Sequence, residues 1–175
     1  MVMENGSSAG KPTILVVEDD ENIQQLVGYN LVRAGLQVLY ADNGEQALAL
    51  VFREKPDLVI LDIMGVRGFD LLNASVSLGF PAVMLTAHAL SKEALKQSIE
   101  MGASAYIPKE KMGEIAPFLE DVLILGQQSG WKRLFERLGS FFNAKFGPQW
   151  QRDEKDFWQD VVSGKYESSP VILKK

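Results

Sequence analysis

Three four-residue apolar runs punctuate the first half of the chain, and each stops on a polar group. Ile14-Leu15-Val16-Val17 ends at Glu18-Asp19-Asp20, Leu58-Val59-Ile60-Leu61 at Asp62, and Ala82-Val83-Met84-Leu85 at Thr86. An apolar run without alternation is the pattern of a parallel strand buried on both faces. Gln37 to Tyr40 and the shorter Ala105-Tyr106-Ile107, which runs into Lys109, read as two further strands. Helical signals lie between them. Ile23, Leu26, Val27, Leu31 and Ala34 recur at helical spacing up to Gly35; Asp42 and Glu45 form a capping box before Ala47, Leu48 and Val51; Ser91 caps a helix through Leu95 and Ile99 to Gly102. Ile115, Leu119, Val122 and Leu123 mark a last helix of this part. The alternation predicts an α/β fold with a doubly wound five-stranded parallel sheet, and places any site at the carboxyl ends of the strands.

Charge divides the chain. Residues 1–125 hold 9 Lys and Arg against 17 Asp and Glu, a net −8, whereas residues 126–175 hold 9 against 6, a net +3. All three tryptophans (Trp131, Trp150, Trp158) lie in the second part. We therefore expect a lead at 1–11, a domain at 12–125, a polar, glycine-bounded linker at 126–130 and an α-helical C-terminal extension at 131–175. In that extension Trp131, Leu134, Phe135, Leu138, Phe141, Phe142 and Phe146 form one helical stripe. Ser129 can cap this helix and Gly147-Pro148 ends it; a second short helix runs from Asp153 through Phe157, Trp158, Val161 and Val162 to Gly164.

The chain has no cysteine and one histidine. Disulfides, thiolate metal sites and multi-imidazole sites are thereby excluded, while carboxylate sites for hard cations stay open. The first ten residues lack the basic-then-apolar pattern of an export signal, and no stretch of about 18 apolar residues occurs, so a cytoplasmic location is expected.

Glu18, Asp19 and Asp20, then Asp62, Thr86 and Lys109, all stand at strand ends that converge in a doubly wound sheet. Carboxylates gathered in one oxygen-rich pocket repel unless a cation offsets them, and Mg²⁺, a hard octahedral ion, suits such a donor set. Lys109 adds a fixed positive charge.

The stretches ILVVEDDEN, YADNGEQAL, PDLVILDIM, GFDLL, PAVMLTA and GASAYIPKE, in this order, resemble the receiver domains of two-component response regulators over nearly all of residues 1–125. The resemblance implies a flavodoxin-like, CheY-like fold in which Asp62 accepts a phosphoryl group from a histidine kinase or phosphotransfer protein. It further implies that Asp19, Asp62 and the Met64 carbonyl hold Mg²⁺, with Glu18 acting through water. Thr86 would bond the phosphoryl oxygen and Lys109 pair with it, and Tyr106 would be an aromatic switch moving with Thr86. Met64 and His88, two past Asp62 and two past Thr86, would tune phosphoryl lifetime. Small Ala87 leaves room for the donor phosphohistidine. Such a module is no enzyme beyond slow self-dephosphorylation.

Two departures stand out. The segment from Asp62 to Gly68 is about two residues shorter than the family pattern and lacks its proline, and Glu110 stands where a proline commonly follows the lysine. With Glu110 there, either a cis bond is kept at about 2.5 to 4 kcal/mol or the loop is rearranged. Two other functions compete with phosphotransfer: a degenerate receiver acting as a phosphorylation-independent scaffold, and a Mg²⁺-dependent phosphatase with an aspartate nucleophile. The phosphatase type needs a second Asp where Met64 stands. A flavin carrier needs a phosphate-binding loop where this chain places three acids. For output, Trp131, Phe135, Leu138 and Phe142 offer a homodimer or partner-protein surface, or cover the domain itself. Two helices are too few for a helix-turn-helix, so no direct DNA binding is expected, and Asp153, Glu154 and Asp156 oppose membrane docking.

Overall fold

The computed structural model describes residues 10–87, 90–125 and 130–166. The expected lead up to residue 9, the linker residues 126–129 with the Ser129 cap, and His88 lie outside the described residues. Strands β1 (Thr13–Val17), β2 (Gln37–Ala41), β3 (Leu58–Asp62), β4 (Ala82–Thr86) and β5 (Ala105–Pro108) alternate with helices. These are α1 (Glu21–Arg33), α2 (Gly44–Glu54), α3 (Gly68–Ser77), α4 (Lys92–Glu100) and α5 (Ile115–Leu125). The strands make one parallel sheet in the order β2-β1-β3-β4-β5. This is the doubly wound sheet expected, and β3 and β4 are buried at every position because helices flank the sheet. The strand order reverses at β1, so the connections leaving β1 and β3 diverge and open a crevice at their carboxyl ends.

Two local expectations shift. The cap of α2 is Asn43, whose side chain accepts from the Gln46 N–H at 2.9 Å, and the Gln46 side-chain oxygen accepts from the Asp42 N–H at 2.7 Å. The capping box thus sits one residue beyond the Asp42–Glu45 pair, because the Asp42 carboxylate is taken up by Gln24 Nε2 at 3.1 Å. β2 and β5 each run one residue further than their apolar runs.

Beyond α5 stand α6 (Gly130–Phe146) and α7 (Lys155–Val162), joined through Gly147 at φ 96 and a 3-10 turn at Arg152–Glu154. The stripe of α6 turns inward: Trp131, Leu134, Leu138 and Phe142 are buried, with the Phe142 ring 6.3 Å from Tyr106 of β5. Phe135 meets Trp131, Phe142, Trp150 and Trp158 at 6.0–6.2 Å, so α6 and α7 share an aromatic core with the sheet domain. The rim is ionic. Arg137 pairs with Asp121 at 3.2 Å, Lys145 with Glu110 at 3.4 Å, and Lys96 with Glu154 while also lying over the Phe157 ring. These exposed pairs add little each, and the buried aromatics hold the extension down. The stripe offered as a homodimer or partner surface is corrected by this packing: Trp131, Leu138 and Phe142 are closed inside their own chain, and Phe135 is packed against that core.

Two substitutions on α6 should act in opposite directions. Phe142→Ala opens a cavity under β5 and should lower unfolding free energy by about 3–5 kcal/mol. At Gly139 an added Cβ meets nothing within 4 Å, so Gly139→Ala should raise it by about 1 kcal/mol. Urea denaturation of the full chain measures both.

Candidate functional site

Strand register assembles the site. Val17 pairs with Leu61, so Glu18 and Asp62 leave adjacent strands side by side; Asp62 pairs with Leu85, and Thr86 with Pro108, which sets Thr86 and Lys109 next in the row. Oxygens of Glu18, Asp19 and Asp62 lie within 4.8 Å of one another. Lys109 Nζ stands 2.9 Å from Glu18 Oε1 and 3.1 Å from Asp62 Oδ1. Asp62 is thus held at both oxygens, since its Oδ2 accepts from the Gly65 N–H at 2.8 Å. Asp20 turns away from this cluster, and its side chain caps α1, accepting from Asn22 at 2.9 Å and Ile23 at 3.2 Å. Glu18 and Asp62 are 1% and 6% exposed while Asp19 is open to solvent. Thr86 is 1% exposed, and its hydroxyl has no hydrogen-bond partner among the described residues.

The electrostatics follow from burial. Desolvation raises the Glu18 pKa, opposed by its bonds from Lys109 and the Asp20 N–H and reinforced by the Asp62 charge. For Lys109 burial pulls down, but the hydrogen bond to Glu18 and the charges of Asp62 and Glu18 outweigh it and the net shift is upward. An oxygen-only donor set of negative sign, bordered by an orphaned buried hydroxyl, fits Mg²⁺ and an incoming oxyanion.

The loop after Asp62 is tight. Arg67 takes φ 58, the Gly68 N–H donates to Ile63 O at 2.9 Å, and a Cβ at Gly68 would lie 2.4 Å from the Asp62 carbonyl. The Met64 side chain is exposed. No cis peptide occurs among the described residues, so Lys109–Glu110 is trans and the chain there is rearranged into a 3-10 turn, Lys109–Glu114. Two participants are absent from the sequence reading. Buried Gln24 donates from Nε2 to Glu18 O at 3.0 Å and Ala41 O at 3.3 Å, tying the ends of β1 and β2 together. Its signal is a polar residue on the face of Val27 and Leu31. The other is Gly65, which only its small size marks.

Tyr106 is fully buried, with its hydroxyl 3.4 Å from both the N–H and the carbonyl of Ser91. Ala87, the small residue after Thr86, is exposed at the mouth of the site.

The model for the response regulator receiver domain matches residues 14–117, more than half of the chain, and the chain belongs to that family. It is 41% identical over 101 residues to the alkaline phosphatase synthesis transcriptional regulatory protein PhoP of Bacillus subtilis, covering 55% of this chain and 41% of that protein. It is 36% identical over 103 residues to the phosphate regulon transcriptional regulatory protein PhoB of Pseudomonas aeruginosa, covering 55% and 44%. The matches thus span under half the length of these relatives. Among solved structures, the BeF3-activated N-terminal receiver domain of RstA from Klebsiella pneumoniae is 34% identical with a TM-score of 0.58, covering 66% of this chain and 98% of that one. A CheY-like receiver domain protein from Methanospirillum hungatei JF-1 is 27% identical with a TM-score of 0.61, covering 68% and 98%. The expectation of no DNA binding draws no support from the curated relatives, which are transcriptional regulators. No helix among the described residues is long and apolar enough to cross a membrane.

Burial pushes the Tyr106 hydroxyl up to about 12, against smaller opposing effects of its bond to Ser91 and of the neighbouring Thr86 hydroxyl. The folded state thus favours neutral Tyr106, a contribution fully present below about pH 10 and lost as pH rises toward 12, worth roughly 2–3 kcal/mol. Lys109, also raised, adds loss in the same direction. Urea midpoints measured from pH 9 to 12 should fall, and less steeply in Tyr106→Phe than in the wild type.

Proposed function

We propose that the chain is a phosphoacceptor that takes a phosphoryl group on Asp62 from a phosphohistidine of a histidine kinase or phosphotransfer protein. The observation that carries this reading is the pairing of Asp62 with Lys109 at 3.1 Å beside the buried, unpartnered Thr86 hydroxyl. In the transfer a carboxylate oxygen of Asp62 forms a bond to phosphorus as the phosphorus–nitrogen bond breaks, and the imidazole leaves. Lys109 compensates the added charge, and Thr86 donates to a phosphoryl oxygen. Asp19, Asp62 and the Met64 carbonyl would hold Mg²⁺, with Glu18 behind water. Bound there, the ion would screen the anionic donor from the acids. Exposed Ala87 leaves the donor ring a path.

Output runs through protein contacts in this reading. Tyr106 stands beside Thr86 and directly under Phe142, so a rearrangement at the phosphoryl site would be felt by α6. Met64 at the mouth cannot orient water, which favours a long-lived phosphoryl group; His88 is the other candidate for that role. Phosphorylation-independent scaffolding is the competing reading, favoured by the shortened loop. The cytoplasm is the setting where a kinase would meet this site.

Intact-mass measurement after incubation with Mg²⁺ and acetyl phosphate tests the reading. The wild type should gain one phosphoryl group and Asp62→Asn none; equal labelling of the two, or none of either, defeats it. Decay of the labelled form should quicken in Met64→Asn, followed by the same mass measurement over time.

A further inference from the structure

We propose that Gly65 is the positioning residue of the metal site: its missing side chain lets the carboxylates of Asp19 and Asp62 stand side by side against the loop, while its N–H fixes Asp62. This rests on the reading that Asp19 and Asp62 hold Mg²⁺. An ideal Cβ built on Gly65 falls 2.2 Å from Asp19 Oδ1 and 2.6 Å from Asp62 Oδ2. Both separations lie far inside van der Waals contact, so a methyl group there would force the two carboxylates out of place. Conformation does not demand glycine there: Gly65 is not among the residues with positive φ, and the left-handed position of the loop is filled by Arg67. Space is the requirement.

Gly68 makes the contrast. A Cβ there would meet Asp62 O at 2.4 Å and Ile63 Cα at 2.6 Å, both main-chain atoms, so its smallness serves the turn. At Gly65 the nearest atoms are the carboxylate atoms of Asp19 and Asp62. The short loop brings the main chain close against Asp19 and Asp62, and glycine at position 65 makes that approach possible. Its N–H, 2.8 Å from Asp62 Oδ2, takes one oxygen while Lys109 takes the other. Gly65→Ala would press an apolar group against both carboxylates and displace them from the positions in which they could hold a cation.

The test is Mg²⁺ titration of the full chain by calorimetry, with circular dichroism to check folding. Gly113→Ala serves as control, since a Cβ there meets nothing within 4 Å. Wild type and control should bind Mg²⁺, Asp19→Asn should bind weakly, and Gly65→Ala should lose on the order of tenfold or more in affinity while remaining folded. Wild-type affinity in folded Gly65→Ala overturns the proposal. Absence of Asp19-dependent binding in the wild type instead defeats the underlying site reading, and the proposal with it. If Gly65→Ala does not fold, Asp19→Ala/Gly65→Ala removes the nearest clashing atom: recovery of the fold supports the proposal, and failure to recover, with Asp19→Ala alone folded, overturns it.

Discussion

Mutual repulsion among Glu18, Asp19 and Asp62 is the constraint on which the rest of this structure depends. Two of these acids are nearly inaccessible to water, and desolvation of Glu18 is severe enough to raise its pKa. One half-buried lysine, Lys109, reaches Glu18 and Asp62 together. Buried charge is tolerated when it is paired and hydrogen-bonded, and here the pairing leaves an excess of negative charge. The fold holds that excess rather than relieving it, because two buried strands anchor the acids, Glu18 and Asp19 following β1 and Asp62 ending β3. β1 delivers Glu18, β3 delivers Asp62, and Gln24 pins the β1 end to β2. Such a pocket is prepared for a cation and, with the cation, for an oxyanion.

The legible part of the sequence is the part governed by periodic burial. Apolar runs ending in Asp62 and Thr86 expose both the parallel sheet and its chemistry, since a doubly wound order leaves strand ends nowhere else to converge. The α6 stripe is equally legible as a helix, but its destination is not: periodicity says that Phe142 must be buried and is silent on whether Tyr106 or another chain covers it. The cap of α2 is ambiguous in sequence because Asp42 and Asn43 both cap well, and only the third dimension shows Gln24 engaging Asp42. Gly65 is invisible as a participant, because its part lies in what its side chain would strike.

The C-terminal helices change what the receiver domain can do with its surface. The seam is bordered by opposite charges, a net +3 extension on a net −8 domain with Arg137, Lys145 and Lys96 crossing to acids, but these exposed pairs add little each. Aromatic packing explains where they stay, since Phe142 closes directly on Tyr106. The same face cannot serve a second molecule while α6 occupies it. Among the described residues, the outer surfaces of α6 and α7 and the helices of the sheet domain away from α6 are left for other contacts.

That arrangement links the two ends of the molecule through very few atoms. Thr86 has a buried hydroxyl at the site, Tyr106 lies next to it, and Phe142 seals Tyr106. A close-packed interior transmits displacement because it has no slack to absorb it. If an oxyanion at Asp62 draws the Thr86 hydroxyl toward itself, the space it leaves adjoins Tyr106, whose hydroxyl makes two long contacts to Ser91. The Phe142 ring packed above Tyr106 adds to its hold. The packing of α6 and the placement of Tyr106 are therefore coupled, because the ring that anchors the extension on the sheet domain is the ring that closes on the tyrosine.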